Sequence, residues 1–297
     1  MTTGLETERQ QLPPLAPPAA TSGLLEVFRK RYLLRMLVHN TIQSRYQGTA
    51  LGWAWSYLQP AVRFLMFYFV FQIMIGRGAG VENFAIHLFA GMVIVHFFTE
   101  TFGGGTQSLV QNRSLITKLA MPKELFPVAR MLVSLWHTGP MLVILLVACV
   151  LTGWRPDPVG LLAGLLGFGI VLVLGLALAL IFSVANVFFR DFSKVVQTLN
   201  QFVTFSVPMM YPFTMVQDRF GATGAEIYLY NPMAEAVLLI QRCFWSGTTE
   251  EPGATTVIHM PPDLWSRGLI MLALSFVLLI IAQMTFTRLE KRVPERL

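Results

Sequence analysis

"VGLLAGLLGFGIVLVLGLALALIFSVANV", residues 159–187, runs for twenty-nine positions without a charged side chain. At about 1.5 Å of rise per residue a helix of that length exceeds the roughly 30 Å of hydrocarbon in a bilayer. Lipid offers no partner to backbone N–H and C=O groups, so the run is read as a membrane-crossing helix and not as an open strand. Its Gly160 and Gly164 form a small-xxx-small pair, with Gly167, Gly169 and Gly175 beyond, and small residues let a neighbouring helix approach closely.

Five further apolar runs of about the crossing length flank it, at approximately 58–76, 84–102, 131–151, 195–216 and 264–286. The 297-residue chain is 54% hydrophobic and only 13% charged, too little polar surface to coat a soluble globule of its size. The fold class expected is an all-α integral membrane protein with six transmembrane helices. Residues 1–22, Pro-rich and without a signal-peptide core, read as a disordered cytoplasmic tail. Residues 23–50 read as an amphipathic interface helix, 51–290 as the six-helix domain and 291–297 as a basic cytoplasmic tail.

Charge sets the orientation. With the N-terminus inside, all five lysines and most arginines fall on the cytoplasmic side, as they do in multi-pass proteins of a bacterial inner membrane. The net charge of +6 is thereby accounted for by topology and headgroup contacts, not by nucleic acid. Cys149 and Cys243 have no disulfide or zinc spacing and are expected as free thiols.

In the stretch 23–47, Leu24, Val27, Phe28, Leu34 and Leu37 fall near one helical face and Arg29, Lys30, Arg31 and Arg35 on the other, the pattern of a helix lying in the membrane interface. Trp53, Trp55 and Tyr57 then suit the headgroup level, and Gly48, Gly52 and Pro60 can bend the chain into the first crossing. On that crossing Phe64, Phe67, Tyr68 and Phe71 share a stripe. Such a stripe serves helix packing or lipid contact, or lines a path on which sugar rings stack. Phe202, Phe205 and Tyr211 on the fifth run keep the second reading open.

Between the second and third runs, "QSLVQNRSLITKLAMPKELFPVAR" reads as a short cytoplasmic amphipathic helix, broken by Pro122 and Pro127, that is either a structural loop or a segment docking into a groove of a partner. Pro208 and Pro212 should kink or break the fifth run near the outer surface, where a discontinuous helix could form a gate. In "YNPMAEAVLLIQRCFW", Asn231 is placed to cap and Pro232 to start a helix too short to span, which re-enters or lies on the membrane.

No lysine follows a glycine, so no phosphate-binding loop exists on this chain, and no nucleophile elbow or zinc helix occurs. No catalytic or metal-binding residue is expected, and if ATP drives the protein another polypeptide binds it. A membrane glycosyl- or acyltransferase is weakly supported for the same reason. His96 and Glu100, one turn apart, sustain a different class, a proton-coupled lipid or glycolipid flippase working without an ATPase.

In their order and spacing three stretches, "RYQGTALGWAWSYLQPAVRFLMFYFVF", "LFAGMVIVHFFTETFGGGTQSLVQNRSLITKLAMPKELFPVAR" and "YLYNPMAEAVLLIQRCFWSG", resemble the permease subunits of ABC exporters of lipid-linked polysaccharide, the Wzm-like O-antigen and teichoic-acid exporters. The resemblance implies a homodimer paired with two ATP-binding subunits that carry ATP and Mg, no cofactor on this chain, and a glycan route along the dimer interface lined by the first and fifth spans. It gives Phe64, Phe67, Tyr68, Phe71, Phe202, Phe205 and Tyr211 a reason to line that route. It makes 111–122 the coupling helix, with Asn112, Arg113, Leu115, Ile116, Lys118 and Lys123 facing the ATPase. It makes the 231–245 helix an external gate with Asn231, Pro232, Glu235 and Arg242. The Lys-poor, Ala/Gly/Leu/Arg-rich composition suits a high-GC bacterium and a cell-wall galactan precursor as cargo.

Overall fold

A computed structural model describes residues 23–74, 81–119 and 121–296, all of whose regular elements are helical. The chain opens with α1 (Leu24–Arg29) and α2 (Arg31–Tyr46), then a 3-10 turn (Gly52–Ala54), α3 (Trp55–Tyr68) and a π-helical continuation, Phe69–Met74. Next come α4 (Phe84–Gln111), α5 (Arg113–Lys118), α6 (Leu125–Leu151), α7 (Pro158–Phe188) and α8 (Phe192–Ser206). The last part holds α9 (Phe213–Tyr228), α10 (Pro232–Phe244), α11 (Pro252–His259), α12 (Leu264–Leu289) and, after a 3-10 turn, α13 (Val293–Arg296).

Four of these helices are long and apolar enough to cross a membrane: α4, α6, α7 and α12 with its following turn. The opening run becomes α7, which packs against α4, α6, α10 and α12 and forms the centre of the bundle. Its start is fixed by Asp157, whose side chain accepts a hydrogen bond from the Gly160 N–H at 3.1 Å, with Pro158 in the first turn where no N–H is needed. Gly160 and Gly164 lie against Arg242 and Cys243 of α10; a Cβ at Gly164 would stand 2.6 Å from the Cys243 Sγ. The small residues therefore do seat a helix, and it is the short one.

The structure corrects several boundaries. The second run does not stop near residue 102, because "FGGG" continues the helix to Gln111. The third begins at Leu125, not 131, since Pro127 sits in the first turn of α6, where its missing N–H costs nothing. The fifth run is not one helix: α8 ends at Ser206 and α9 begins at Phe213, with Pro208 and Pro212 in the break. Gln241 of α10 donates to the carbonyls of Pro208 (2.8 Å) and His87 (3.3 Å), so the broken backbone finds partners inside the protein. The first run is α-helical only to Tyr68 and π-helical beyond, and its expected end at 76 lies outside the described residues.

The N-terminal helix is two helices hinged at Lys30 (φ −93°, ψ 36°) and stops at Tyr46. Val27 is buried and Leu24, Leu34 and Leu37 pack on the core, but Phe28 faces outward, since the hinge gives α1 and α2 separate faces. The expected tail 1–22 lies outside the described residues. Residues 291–296 complete a 3-10 turn and form the short helix α13, with Val293 buried. Both cysteines are free and buried.

Candidate functional site

The lead-in to α3 carries two glycines at positive φ, Gly48 (78°) and Gly52 (47°), conformations that L side chains rarely adopt. They turn the chain from α2 into α3 and set Trp53 edge-on against Trp136 of α6, ring centroids 5.5 Å apart. Tyr46 meets the His137 ring at right angles, and the Ser56 hydroxyl donates to the Tyr46 oxygen at 2.6 Å.

Beneath this turn lies a charged cluster. Glu100 of α4 accepts from Arg45 of α2 at 2.5 Å, has the His137 Nδ1 of α6 at 2.9 Å, and stands 3.5 Å from the His96 Nε2 on its own helix. Glu100 falls two residues before the end of the apolar run at 84–102, but α4 runs eleven residues beyond it. The cluster answers the cost of placing a carboxylate on a crossing helix: the Arg45 guanidinium of α2 supplies a counter-charge and the buried His137 a further hydrogen-bond partner. Sequence reasoning paired His96 with Glu100 but missed His137 and Arg45, which come from helices distant in the chain.

The aromatic candidates divide by position. Phe64 faces inward, its centroid 4.6 Å from that of Phe89, and Phe67 also packs on the core. Tyr68 on α3 and Phe202 and Phe205 on α8 stand exposed, whereas the Tyr211 hydroxyl pairs with that of Tyr228 at 3.1 Å. The side chain of Phe71 lies outside the described residues. No residue of α3 is buried, and α8 buries only Val196.

In the 111–122 segment Gln111 still belongs to α4 and Arg113–Lys118 forms α5, and Ala120 lies outside the described residues. Arg113, Leu115 and Lys118 project outward, Ile116 is buried beneath them, and Asn112 donates to the Ser108 carbonyl. Lys123 reaches the Glu290 carbonyl at 2.6 Å and so ties the segment to the end of α12; burial there holds its amine below the usual lysine range against the pull of Glu290 and Glu124.

At the other end of the bundle α10 is wedged among α4, α7 and α12, with Met233–Gln241 buried throughout. Asn231 caps it, accepting from the Met233 N–H at 3.0 Å, with Pro232 at its first position as expected. Arg242 clamps Asp157 through two parallel hydrogen bonds of 3.0 and 2.9 Å. Glu235 is wholly buried and neither carboxyl oxygen has a hydrogen-bond partner.

No family model matches the chain. Curated relatives do. Over 226 residues, 74% of this chain and 83% of the relative, it is 28% identical to the O-antigen export system permease protein RfbA of Myxococcus xanthus. A Klebsiella pneumoniae protein of the same name is 23% identical over 219 residues, 72% of this chain and 81% of the relative. The polysialic acid transport protein KpsM of Escherichia coli is 20% identical over 210 residues, 71% and 80% of the two chains. These relatives bear out the resemblance to the permease subunits of ABC polysaccharide exporters carried by the three motif stretches.

Proposed function

We propose that this multi-pass protein is the permease subunit of an ATP-driven exporter that moves a lipid-linked polysaccharide of the O-antigen, teichoic-acid or galactan type across the bacterial cytoplasmic membrane. Similarity over nearly three quarters of the chain to permeases of polysaccharide export carries this reading. Both termini lie in the cytoplasm, in keeping with the lysine distribution. ATP and Mg belong to a separate ATPase, which docks on the exposed Arg113, Leu115 and Lys118 of α5.

The chain works as a homodimer whose interface encloses the glycan path. Support comes from α3, which buries none of its residues in one subunit although it carries the densest aromatic sequence. With its π-helical extension it spans twenty residues, about 30 Å, enough for a fifth crossing. The sixth is α8 completed by the chain through Pro208 and Pro212. Exposed Tyr68, Phe202 and Phe205 present flat rings on which sugar faces stack in any register, as a polymer sliding past requires. The α10 helix closes the outer end as a gate.

Depletion of the protein in its native cell tests the reading. Long lipid-linked glycan is expected to accumulate on the cytoplasmic leaflet, and its composition identifies the cargo; unchanged membrane glycans refute the assignment.

A further inference from the structure

Arg63 lies on α3 eight residues past Trp55, about 12 Å along the helix, among Leu, Met, Phe, Tyr and Val. It is exposed, and no described residue gives it a hydrogen bond or an ion pair. An ionisable group on a membrane-crossing helix is costly unless it finds a counter-charge or reaches the interface along its own stem.

The ground it reaches is a walled one. Two adjoining hollows of about 40 and 230 Å³ share Arg45, Tyr46, Trp55 and Gln59 as walls, and Arg63 and His137 line the smaller. His137 is 6% exposed, yet its Nε2 has no partner. Arg45 spends one terminal nitrogen on Glu100 and His137; its other nitrogens have no partner among the described residues. Tyr46 accepts from Ser56, which leaves its own O–H free to donate. Two guanidinium forks, one carboxylate and a spare hydroxyl therefore converge beside Trp55 with an excess of positive charge and of donors.

We propose that this pocket binds the phosphate group of a membrane lipid, bridged between Arg45 and Arg63 with the Tyr46 hydroxyl as a third donor. Planar guanidinium forks match phosphate oxygens two at a time, and a site partly walled from water strengthens each such contact. Glu100 holds Arg45 in place while the pocket is empty and gives it up in part when the anion arrives. The identity of the lipid, though not the chemistry of the site, rests on the export reading: under it the phosphate belongs to the carrier of the glycan.

The test uses the full-length chain with its co-purifying subunits in phosphatidylcholine nanodiscs, titrated separately with a polyprenyl phosphate and with phosphatidylglycerol, bound lipid being counted by mass spectrometry. Arg63→Gln removes no internal contact and is expected to weaken polyprenyl phosphate binding about tenfold, the worth of one charge-assisted fork. Arg63→Lys keeps the charge and recovers part of the loss, and Tyr46→Phe gives a smaller one. A loss confined to polyprenyl phosphate identifies the glycan carrier as the ligand; an equal loss for phosphatidylglycerol supports a general lipid-phosphate site. Unchanged binding of both probes to Arg63→Gln overturns the proposal and leaves Arg63 as a side chain that merely reaches the headgroups. Failure of the depletion experiment would remove the export reading without altering these isotherms.

Discussion

The Arg242–Asp157 clamp makes a quantitative prediction, because it fastens the short α10 helix to the first turn of α7. Two charge-assisted hydrogen bonds are worth roughly 1.5–3 kcal/mol each when fully buried. The Asp157 side chain is 40% exposed, so water screens the pair and a coupling of about 1–2 kcal/mol is expected for the whole clamp. Asp157 has a second task, accepting from the Gly160 N–H as the cap of α7. Asp157→Asn keeps one acceptor oxygen for that N–H but loses the charge and one of the two hydrogen bonds from Arg242, whereas Asp157→Ala should cost about 1 kcal/mol more. Burial alone would raise the Asp157 carboxyl, but the hydrogen bonds from Arg242 and Gly160 outweigh it and hold the group below its ordinary 3.8. The clamp is therefore fully present above about pH 3.8 and lost as the pH falls through the lower folded value, leaving a flat profile between about pH 5 and 8. Unfolding in mixed micelles, followed by tryptophan fluorescence for Asp157→Asn, Arg242→Met and the double variant, reads the coupling directly. Additive single effects, or an Arg242-dependent pH profile near neutrality, would refute the reasoning.

Three other outcomes are expected. Replacing Arg113, Leu115 and Lys118 together by alanine should uncouple ATP hydrolysis from export in reconstituted vesicles while membrane insertion stays intact; retained export would show that α5 is not the coupling contact. Phe202→Cys in a background lacking Cys149 and Cys243 should form a cross-linked dimer in membranes if α8 faces a second copy, and only monomer if it faces lipid. Glu235→Gln should leave melting unchanged or raised, since the wild-type carboxyl is buried without a partner; a loss beyond about 2 kcal/mol would reveal an interaction that satisfies it.

What could be read from the sequence follows from which forces are local. Membrane-length apolar runs announced α4, α6, α7 and α12, and the cap signal Asn231-Pro232 marks a helix start whose bond closes within a few residues; the equivalent Asp157-Pro158 start of α7 went unread. The break at Pro208 and Pro212 was legible because proline acts on its own backbone. Residues 103–105 misled, because glycine lowers helix propensity only by about 1 kcal/mol each and the packing of Gly105 against Ala179 overrides it. The Glu100 cluster was half legible: His96 shares its helix and spacing with Glu100, but His137 and Arg45 join it only through tertiary packing. The partition of the aromatics was not legible at all, since one stripe on α3 supplies Phe64 to the core and Tyr68 to the surface, and only the neighbouring helices decide which.

The length of α4 has a mechanical consequence. Its 28 residues measure about 42 Å, some 12 Å more than the hydrocarbon layer, and the helix carries α5 directly on its end. Near the other end the same rod holds Gly91 tight against Met209 in the break between α8 and α9. Under the roles proposed for α5 and α10, a stiff beam between them needs no relay of rearranging side chains: tilting one end moves the other in the same stroke.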